Sequence, residues 1–510
     1  MAPDAVASAT CSGARRSVLA ESENPPDEVI LLKPDTHDQD SRAGVAQRLL
    51  NSPRMGTRAW IATIFIPLIL AAGCGKSDDS DTVAASIHQV LAGKSPAHVS
   101  AEAWKDTHEF YTRREHAPAW MMDDQGMQAD AAVAVLGRAR EHGLDAADYN
   151  EQEIILLRSL PLSEDAPEKG TDERARKLAG ADVRITAALL TLGRDVALGR
   201  TKPERIDSRW KTQRKASDLV GTLIVAADNG LNTWLDTIKP KHAQYAALQK
   251  ALSDPAMARD ADQIAVNLER WRWMPDELGT RYIIVNIPSF HLEAREMGQP
   301  PLQMKVVVGK AENKTPIFSD TMTTTVFSPY WNVPDSIVEG ETAPAAARDP
   351  SFLERNNIEI LRLGKSSVTA IDPATVNWDD PEQLKALAFR QKPGAKNALG
   401  HVKFLFPNPY EVYLHDTPAD ALFARAGRAF SHGCVRVEHP EALAKWVLKD
   451  SPEWTDEKIR EAMNAGEEEH VKLKQDIPIH IVYFTAWADD TGSVRLLPDV
   501  YGYDAIQSSH

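Results

Sequence analysis

Cysteine is scarce in this 510-residue chain, which carries only three, at positions 11, 74 and 434. Three cysteines are too few for a disulfide scaffold or for a zinc module built on several cysteines. The sequence also offers no credible triad of zinc ligands, and we expect neither a metal nor a cofactor. Any cysteine chemistry therefore depends on a single thiol.

Positive charge is also in deficit. Lysine and arginine number 58 against 73 aspartate and glutamate residues, which gives a formal net charge of −15 at pH 7. Proteins that bind nucleic acids normally present a basic surface, so this balance argues against a nucleic-acid partner. With 43% hydrophobic and 26% charged residues, the chain has the composition of a folded protein of several domains.

Long apolar runs are rare, and the main one is residues 59–74 (AWIATIFIPLILAAGC). This run is shorter than the roughly 20 residues that a helix needs to span hydrocarbon, but it suits the apolar part of a signal peptide. Its end, L-A-A-G-C, resembles the lipobox of bacterial lipoproteins, in which the cysteine, here Cys74, is lipidated. A plain signal peptide or an uncleaved anchor is the alternative.

We interpret residues 55–74 as a lipoprotein signal peptide that starts at Met55. Residues 1–54 are polar and lack periodicity, so we expect them either to lie outside the real protein, with Met55 as the initiator, or to be disordered. Residues 75–99 then form a linker. This interpretation predicts an exported, periplasmic protein that a lipid anchors to a membrane, with the outer membrane favoured over the inner, and it leaves Cys434 as the only free thiol.

Residues 100–252 have a helical pattern. Ser100 is a predicted N-cap, and a later helix presents one apolar stripe. The residues of that stripe are Ile185, Leu189, Leu192 and Val196. We therefore predict an all-helical domain over residues 100–252, joined by a connecting segment at 253–280 to the rest of the chain.

From residue 281 the sequence changes to short β-branched and aromatic segments bounded by Gly, Pro and Asn. The segments predicted as strands are residues 282–287, 305–308, 323–327, 411–414 and 479–484, with a hairpin that turns at 490–492. Residues of about 335–397 break this pattern and are expected to form a capping insertion over one mouth of the sheet. The predicted fold class is α+β, with a helical domain followed by a β-rich domain at 281–505.

The segment with the richest chemistry is residues 412–437, VYLHDTPADALFARAGRAFSHGCVRV. Two histidines, His415 and His432, lie close to Cys434 in sequence. A thiol near its ordinary pKa is mostly protonated at neutral pH, so it needs a neighbouring imidazole or cation before it attacks a carbonyl. Gly433 leaves room for backbone N–H groups beside a developing oxyanion. A small core cysteine is the alternative at this point.

The order of these residues resembles the signature of the L,D-transpeptidase catalytic domain, the YkuD-like family. That signature is a histidine followed by Ser/Thr-His-Gly-Cys, a hydrophobic residue, and Asn or Arg, and this chain has His415 and then S-H-G-C-V-R from position 431. Residues 267–275 (NLERWRWMP), 328–334 (SPYWNVP) and 142–149 (HGLDAADY) are similar to the YcbB-type subgroup, whose helical domain is a scaffold domain. A small peptidoglycan-binding module that is common in this subgroup is missing between residues 252 and 262.

The resemblance implies a ping-pong acyl transfer between peptidoglycan stem peptides. Cys434 is the implied nucleophile and His415 the general base and acid, with the backbone carbonyl of Asp416 orienting its ring. Cys434 would form a thioester with a tetrapeptide stem, release D-Ala and pass the acyl group to a second stem, which gives a 3→3 cross-link. Carbapenems are implied as inhibitors.

Further residues receive roles from the same resemblance. Backbone N–H groups of His432 and Gly433, with that of Cys434, are implied as the oxyanion hole, and the His432 side chain is expected to stabilise the loop rather than act as the base. Arg436 is expected to bind a substrate carboxylate or to brace the loop. The residues expected to contact substrate are Tyr413, Trp331 and Ser431.

Three alternatives remain open on the sequence: an L,D-carboxypeptidase, another cell-wall cysteine peptidase, or a catalytically silent wall-binding scaffold. Most cysteine peptidases place Cys before His in sequence, whereas here His415 precedes Cys434. A serine D,D-transpeptidase is disfavoured because the only S-x-x-K, at residues 208–211, has no K-T-G companion.

Overall fold

The computed structural model describes residues 78–96, 98–122, 126–160, 171–211, 218–364 and 367–509. The predicted signal peptide with Cys74, and the residues before it, lie outside these ranges. Within them, no helix combines the length and the apolar character needed to cross a bilayer.

The N-terminal part of the described chain is helical, as the periodicity of residues 100–252 predicts. The prediction of a plain linker at 75–99 and of a plain connecting segment at 253–280 was wrong, because each contains a helix with a buried apolar face. The helices of this part are α1 (Asp78–Leu91), α2 (Ala101–Arg113), α3 (Met127–Gly137), α4 (Glu151–Leu157), α5 (Asp172–Leu198), α6 (Leu219–Asn229), α7 (Trp234–Ile238), α8 (Ala243–Leu252) and α9 (Ala261–Arg272). Ser100 caps α2 and accepts a hydrogen bond from the Ala103 N–H at 3.1 Å. The long helix α5 buries its apolar stripe at the centre of the helical core.

The C-terminal part is built on strands. They are β1 (Arg281–Asn286), β2 (His291–Glu296), β3 (Leu302–Gly309), β4 (Phe318–Phe327), β5 (Trp331–Asn332), β6 (Ile358–Leu363), β7 (Val368–Ile371), β8 (Ala388–Gln391), β9 (Val402–Leu405), β10 (Leu414–His415), β11 (Ala429–Ser431), β12 (Val435–Val437), β13 (Glu469–Val482), β14 (Ala486–Ala488) and β15 (Val494–Leu496). Short helices accompany them: α10 (Asp335–Ile337), α11 (Ala343–Arg348), α12 (Ser351–Arg355), α13 (Pro381–Lys385), α14 (Pro440–Leu448), α15 (Asp456–Asn464) and α16 (Tyr503–Ser508). The predicted α+β class is confirmed.

The main sheet closes into a barrel. Its nine strands run in the order β11-β3-β12-β10-β9-β4-β13-β1-β2, and β2 pairs in addition with β3, so that all strands except β11 lie in one closed ring. Alternate residues of each strand point inward and form a continuous apolar core, with Val285, Val306 and Leu414 among its fully buried members. In this ring β1 lies midway around from β10.

Helices α8 and α9 pack against the outside of the barrel. Leu268 and Trp271 of α9 share a second core with Ile284 of β1 and Phe484, which follows β13. The Trp271 and Phe484 rings stack with centroids 4.5 Å apart. The helical part is therefore attached to the barrel wall at β1 and β13.

The insertion between β4 and β9 forms a small unit with its own sheet and core. The sheet has the order β5-β8-β6-β7, and Val338, Leu353 and Phe389 lie in the core. The expectation that residues 335–397 lack strands was wrong, because the β-branched segments of β6 and β7 pair with each other and with β8.

The strand predicted at residues 411–414 was also largely wrong, since only Leu414 and His415 are in a strand. Glu411 has a φ of 54°, in the left-handed region. The Asn408 side chain accepts the Val412 N–H at 3.2 Å and donates to the Val412 carbonyl at 2.8 Å. This local hydrogen bonding holds residues 408–412 in a loop.

Candidate active site

The cluster of candidate site residues lies on the outer face of the barrel. β10 and β12 are neighbouring parallel strands, and His415 lies opposite Arg436 in their register. Because alternate residues of a strand share a face, Tyr413 and Cys434 project on the same side as this pair. The pairing thus brings together four residues that are up to 23 positions apart in sequence.

These side chains line a cavity of about 380 Å³, within the range of roughly 300–1,000 Å³ typical of small-ligand sites. Its lining includes Tyr413, His415, Ser431, His432, Gly433, Cys434 and Arg436 from the barrel side, and Trp331, Ser336, Ile337 and Glu341 from the insertion side. Of the residues that the sequence analysis assigned to the site within the described chain, Asp416 is the one that does not line this cavity; it contacts His415 from behind.

The His415 ring is held in one tautomer. Its Nδ1 lies 2.5 Å from the carbonyl oxygen of Asp416. A carbonyl can only accept a hydrogen bond, so Nδ1 carries the proton and Nε2 of the neutral ring is an acceptor. Burial lowers the pKa of His415 to about 3, and the positive charge of Arg436 acts in the same direction. At neutral pH the ring is therefore uncharged and able to take up a proton at Nε2.

The Asp416 carboxylate fixes the loop that supplies this carbonyl. It accepts the backbone N–H of His401 at 2.7 Å and that of Thr417 at 2.7 Å. Burial raises the pKa of Asp416. Gly400 has a φ of +59°, and a Cβ there would lie 2.2 Å from an oxygen of this carboxylate, so only glycine fits at position 400.

Cys434 is protonated in this arrangement. Its Sγ lies 3.8 Å from the Glu411 carbonyl oxygen, which can only accept. Burial raises the pKa of the thiol, against smaller opposing effects of Tyr413 and Arg436. Among the described residues, the thiol makes no hydrogen bond to the His415 ring. The thiol and the imidazole are therefore both neutral at rest.

Cys434 and His415 nevertheless line the same cavity. Cys434 directly precedes β12 and His415 ends β10, so the two residues are diagonal neighbours across this parallel pair. Hydrogen bonds of a catalytic pair commonly tighten only when substrate binds.

The loop before the thiol is tied together by one hydroxyl. Ser431 Oγ donates to the Cys434 carbonyl at 2.6 Å and accepts the Gly433 N–H at 3.1 Å. Thr315, to which the sequence analysis gave no role, donates from Oγ1 to the Gly433 carbonyl at 2.7 Å. Gly433 itself has a φ of +126°, in the region that favours glycine.

This bonding changes the expected set of oxyanion donors. The Gly433 N–H is occupied by Ser431. The backbone N–H groups of His432 and Cys434 donate to none of the described residues. Two of the three expected donors are thus free, whereas Gly433 and the Ser431 hydroxyl are used within the loop.

Arg436 supplies a positive charge without a partner. Its Nε is buried and makes no hydrogen bond, and no carboxylate of the described residues forms an ion pair with it. Burial lowers the pKa of this guanidinium, although an arginine remains charged at neutral pH. Arg436 is therefore available to an anionic group in this cavity, which Glu341 and Glu411 also line.

The insertion reaches the reactive loop through one contact that sequence reasoning missed. His432 Nε2 lies 3.0 Å from Glu341 Oε1. The two residues are far apart in sequence, and no motif signals their meeting. The His432 side chain is thereby directed toward the insertion.

Two protein-family models match the chain. Residues 105–252 match the Scaffold domain, and residues 280–456 match YkuD, the L,D-transpeptidase catalytic domain. The two matches divide the chain where the structure changes from helices to strands. The described residues contain no group of three or more His, Cys, Asp or Glu side chains placed to hold a metal ion.

Individual relatives carry related names. A Haemophilus influenzae protein named "Putative L,D-transpeptidase" is 30% identical over 304 residues, which cover 58% of this chain and 60% of that protein. The chain thus spans less than two thirds of the length of this relative. Among solved structures, an L,D-transpeptidase from Mycobacterium smegmatis aligns at 13% identity over 40% of this chain and 58% of that one, with a TM-score of 0.20. L,D-transpeptidase 3 from Mycobacterium tuberculosis aligns at 14% identity over 40% and 61%, with a TM-score of 0.19.

Proposed function

Because residues 280–456 belong to the YkuD family of L,D-transpeptidase catalytic domains and residues 105–252 to the Scaffold family, we propose that this protein is a peptidoglycan L,D-transpeptidase. The observation that carries the proposal is a single cavity lined by a neutral His415 ring with an acceptor Nε2, by the protonated Cys434 thiol and by the Arg436 guanidinium, which forms no ion pair among the described residues.

The first half-reaction acylates Cys434. His415 Nε2 takes the thiol proton as the sulfur bonds to the carbonyl carbon of the third residue of a tetrapeptide stem. The negative charge on the carbonyl oxygen is met by the free N–H groups of His432 and Cys434. The intermediate then collapses, the C–N bond to the terminal D-Ala breaks, and the proton on Nε2 passes to the departing amine.

The second half-reaction transfers the acyl group. The side-chain amine of a neighbouring stem attacks the thioester and gives up a proton to Nε2, and the C–S bond breaks with return of a proton to the sulfur. The product is a 3→3 cross-link. Starting from two neutral groups suits this cycle, because the base is unprotonated when the thiol must be activated and again when the amine must be deprotonated.

Arg436 binds a carboxylate of the donor stem. A stem peptide carries a free carboxylate at its C-terminus, and Arg436 is a half-buried cation of the cavity wall with no ion-pair partner among the described residues. A charge-assisted hydrogen bond would position the stem beside the thiol. Trp331 and Tyr413 provide aromatic walls for the rest of the stem.

Export and anchoring form part of the proposal. Wall stems lie outside the cytoplasm, and the proposed lipoprotein signal with Cys74 would place the enzyme on the periplasmic face of a membrane, with the outer membrane favoured. Acylation of Cys434 by carbapenems follows from the same chemistry. Globomycin-sensitive processing and fractionation of the cells would test the anchor, and intact-mass analysis would test the adduct.

The test of the function uses the full chain with purified disaccharide-tetrapeptide. Mass spectrometry should show a cross-linked dimer and free D-Ala with the wild-type protein, and neither with Cys434→Ala. His415→Gln should bind substrate but fail to form the thioester. Release of tripeptide without dimer would instead identify the protein as an L,D-carboxypeptidase. Recovery of unchanged substrate would refute the proposed enzymatic activity.

A further inference from the structure

A second cavity, of about 350 Å³, lies on the other side of the barrel. Its lining comes from β1 and β2, from helix α8 and from the β14–β15 hairpin. β1 is midway around the ring from β10, so this cavity is separate from the one that Cys434 lines. Its size is also in the range of roughly 300–1,000 Å³ usual for small-ligand sites.

One wall of this second cavity is aromatic. Trp487 is partly exposed in this cavity. Its ring also packs against Phe484, with the two ring centroids 5.7 Å apart. Trp271 stacks on Phe484 and fixes the position of the cluster. Gln244 of α8 both donates to and accepts from the backbone of Ala488, at 2.6 and 2.7 Å, which holds the hairpin that carries Trp487. The ring of Trp487 is thus a preorganised platform.

The polar groups of the second cavity favour an uncharged ligand. Arg295 is its only lysine or arginine, and it already pairs with Glu293 at 2.6 Å and Asp490 at 2.9 Å. Burial lowers the pKa of His242 to about 4, so its ring is neutral at pH 7. Asp489 and Asp490 add negative charge that repels anions. The Cys434 cavity differs in one respect: its arginine, Arg436, forms no ion pair among the described residues.

Hydrogen-bonding groups remain available beside the platform. The Tyr282 hydroxyl makes no hydrogen bond within the described residues, and the Asp490 carboxylate is largely exposed. Sugar rings present an apolar C–H face, which packs on an aromatic ring, and hydroxyls along the edge, which donate to carboxylates and exchange hydrogen bonds with tyrosine. A peptide stem with free carboxylates has the wrong charge for this site.

We propose that this second cavity binds an uncharged N-acetylated saccharide segment of the wall glycan, with Trp487 as the stacking platform and Tyr282 and Asp490 as polar contacts. The inference rests on the proposed function, since it assumes that the substrate stems are attached to glycan. Binding of the glycan chain in this second cavity raises the local concentration of its peptide stems at the Cys434 cavity.

The test measures binding without turnover, so it does not depend on whether the enzyme transfers acyl groups. Full-length Cys434→Ala protein is titrated with the tetrasaccharide of N-acetylglucosamine by calorimetry and tryptophan fluorescence. We expect saturable binding that Trp487→Ala weakens at least about ten-fold and Tyr282→Phe about five-fold. Trp446→Ala, which removes an equally half-buried tryptophan outside both cavities, should bind as the parent does.

Two results of the saccharide titration would overturn the proposal. One is the absence of saturable binding by the parent protein up to millimolar saccharide, and the other is parent-like affinity in Trp487→Ala that circular dichroism shows to be folded. Should Trp487→Ala fail to fold, Tyr282→Phe decides by the same criterion. Displacement of the saccharide by free stem tripeptide at Trp487 would also reject the assignment, because it would show that the site takes anionic peptide.

Discussion

Replacing Arg436 by methionine should stabilise the fold while it damages catalysis. The Arg436 Nε is buried without a hydrogen bond, and the guanidinium has no ion-pair partner among the described residues. An unsatisfied buried donor costs about 1–3 kcal/mol, and an apolar side chain of similar length removes that cost. Since Arg436 is only half-buried, we expect a gain of about 1 kcal/mol in the free energy of unfolding, at the lower end of this range.

Catalysis should move in the opposite direction. A hydrogen bond to a charged group contributes about 1.5–3 kcal/mol, and loss of that amount from the bound transition state lowers kcat/KM about 10- to 150-fold. An amidated stem, which lacks the carboxylate, should react equally slowly with both proteins. The combination of higher stability and lower activity is what separates a substrate-binding arginine from one that braces the loop.

Urea denaturation and dimer formation from disaccharide-tetrapeptide measure the two effects on the same preparations. Arg428→Met is the matched control, since Arg428 is 6% exposed and donates to the carbonyls of Val306, Phe290 and Arg425. It should lose at least about 2 kcal/mol of stability, because several acceptors are left unpaired. A comparable loss in Arg436→Met would refute the reasoning and assign Arg436 to loop support.

Three further changes have definite outcomes. Ser431→Ala removes two hydrogen bonds in the reactive loop and should lower both the stability, by about 1–2 kcal/mol, and kcat, with KM unchanged; Ser431→Thr should recover part of each in the same assays. Gly400→Ala places a Cβ against the Asp416 carboxylate and should lower the melting temperature and the activity. Soluble, active protein with an unchanged melting temperature would contradict the close approach of Gly400 to Asp416. Burial lowers the pKa of His415 and of His142 to about 3, so in acid the unfolded chain takes up protons that the folded protein excludes. The buried His142 ring should therefore cost the wild type stability as the pH falls below about 7, by about 2 kcal/mol at pH 5, and urea titrations check this as the difference between the wild type and His142→Gln over that interval; equal slopes would refute it.

Local sequence patterns were sufficient to predict the helices and strands whose formation depends on neighbouring residues. The apolar spacing of α5 and the β-branched runs of β1 and β13 identify their own secondary structure. The site residues near Cys434 were found because the chemistry and the family signature lie within one short segment. The predicted hairpin also formed, with β14 and β15 paired across the turn at Asp490.

What the sequence did not predict depends on contacts between distant residues. Closure of the barrel needs β2, whose sequence HLEARE is too polar to suggest a strand but which pairs on both edges. The Thr315 bond to Gly433 and the contact of Glu341 with His432 join segments more than 90 residues apart. The neutral state of the thiol and the imidazole follows from burial, which only the folded chain defines.

The insertion leaves and rejoins the barrel at one point. Phe327, the last residue of β4, is the register partner of Val402, the first residue of β9, so without residues 328–401 these strands would be joined as a plain hairpin. Lengthening or exchanging residues 335–397 costs the barrel little, because the strand pairs that close it lie outside this segment and because Gly400 and His401, which hold Asp416, are kept. The part of the cavity lining that the insertion contributes can therefore change in evolution, or be exchanged between homologues, while β10 and β12 stay unchanged.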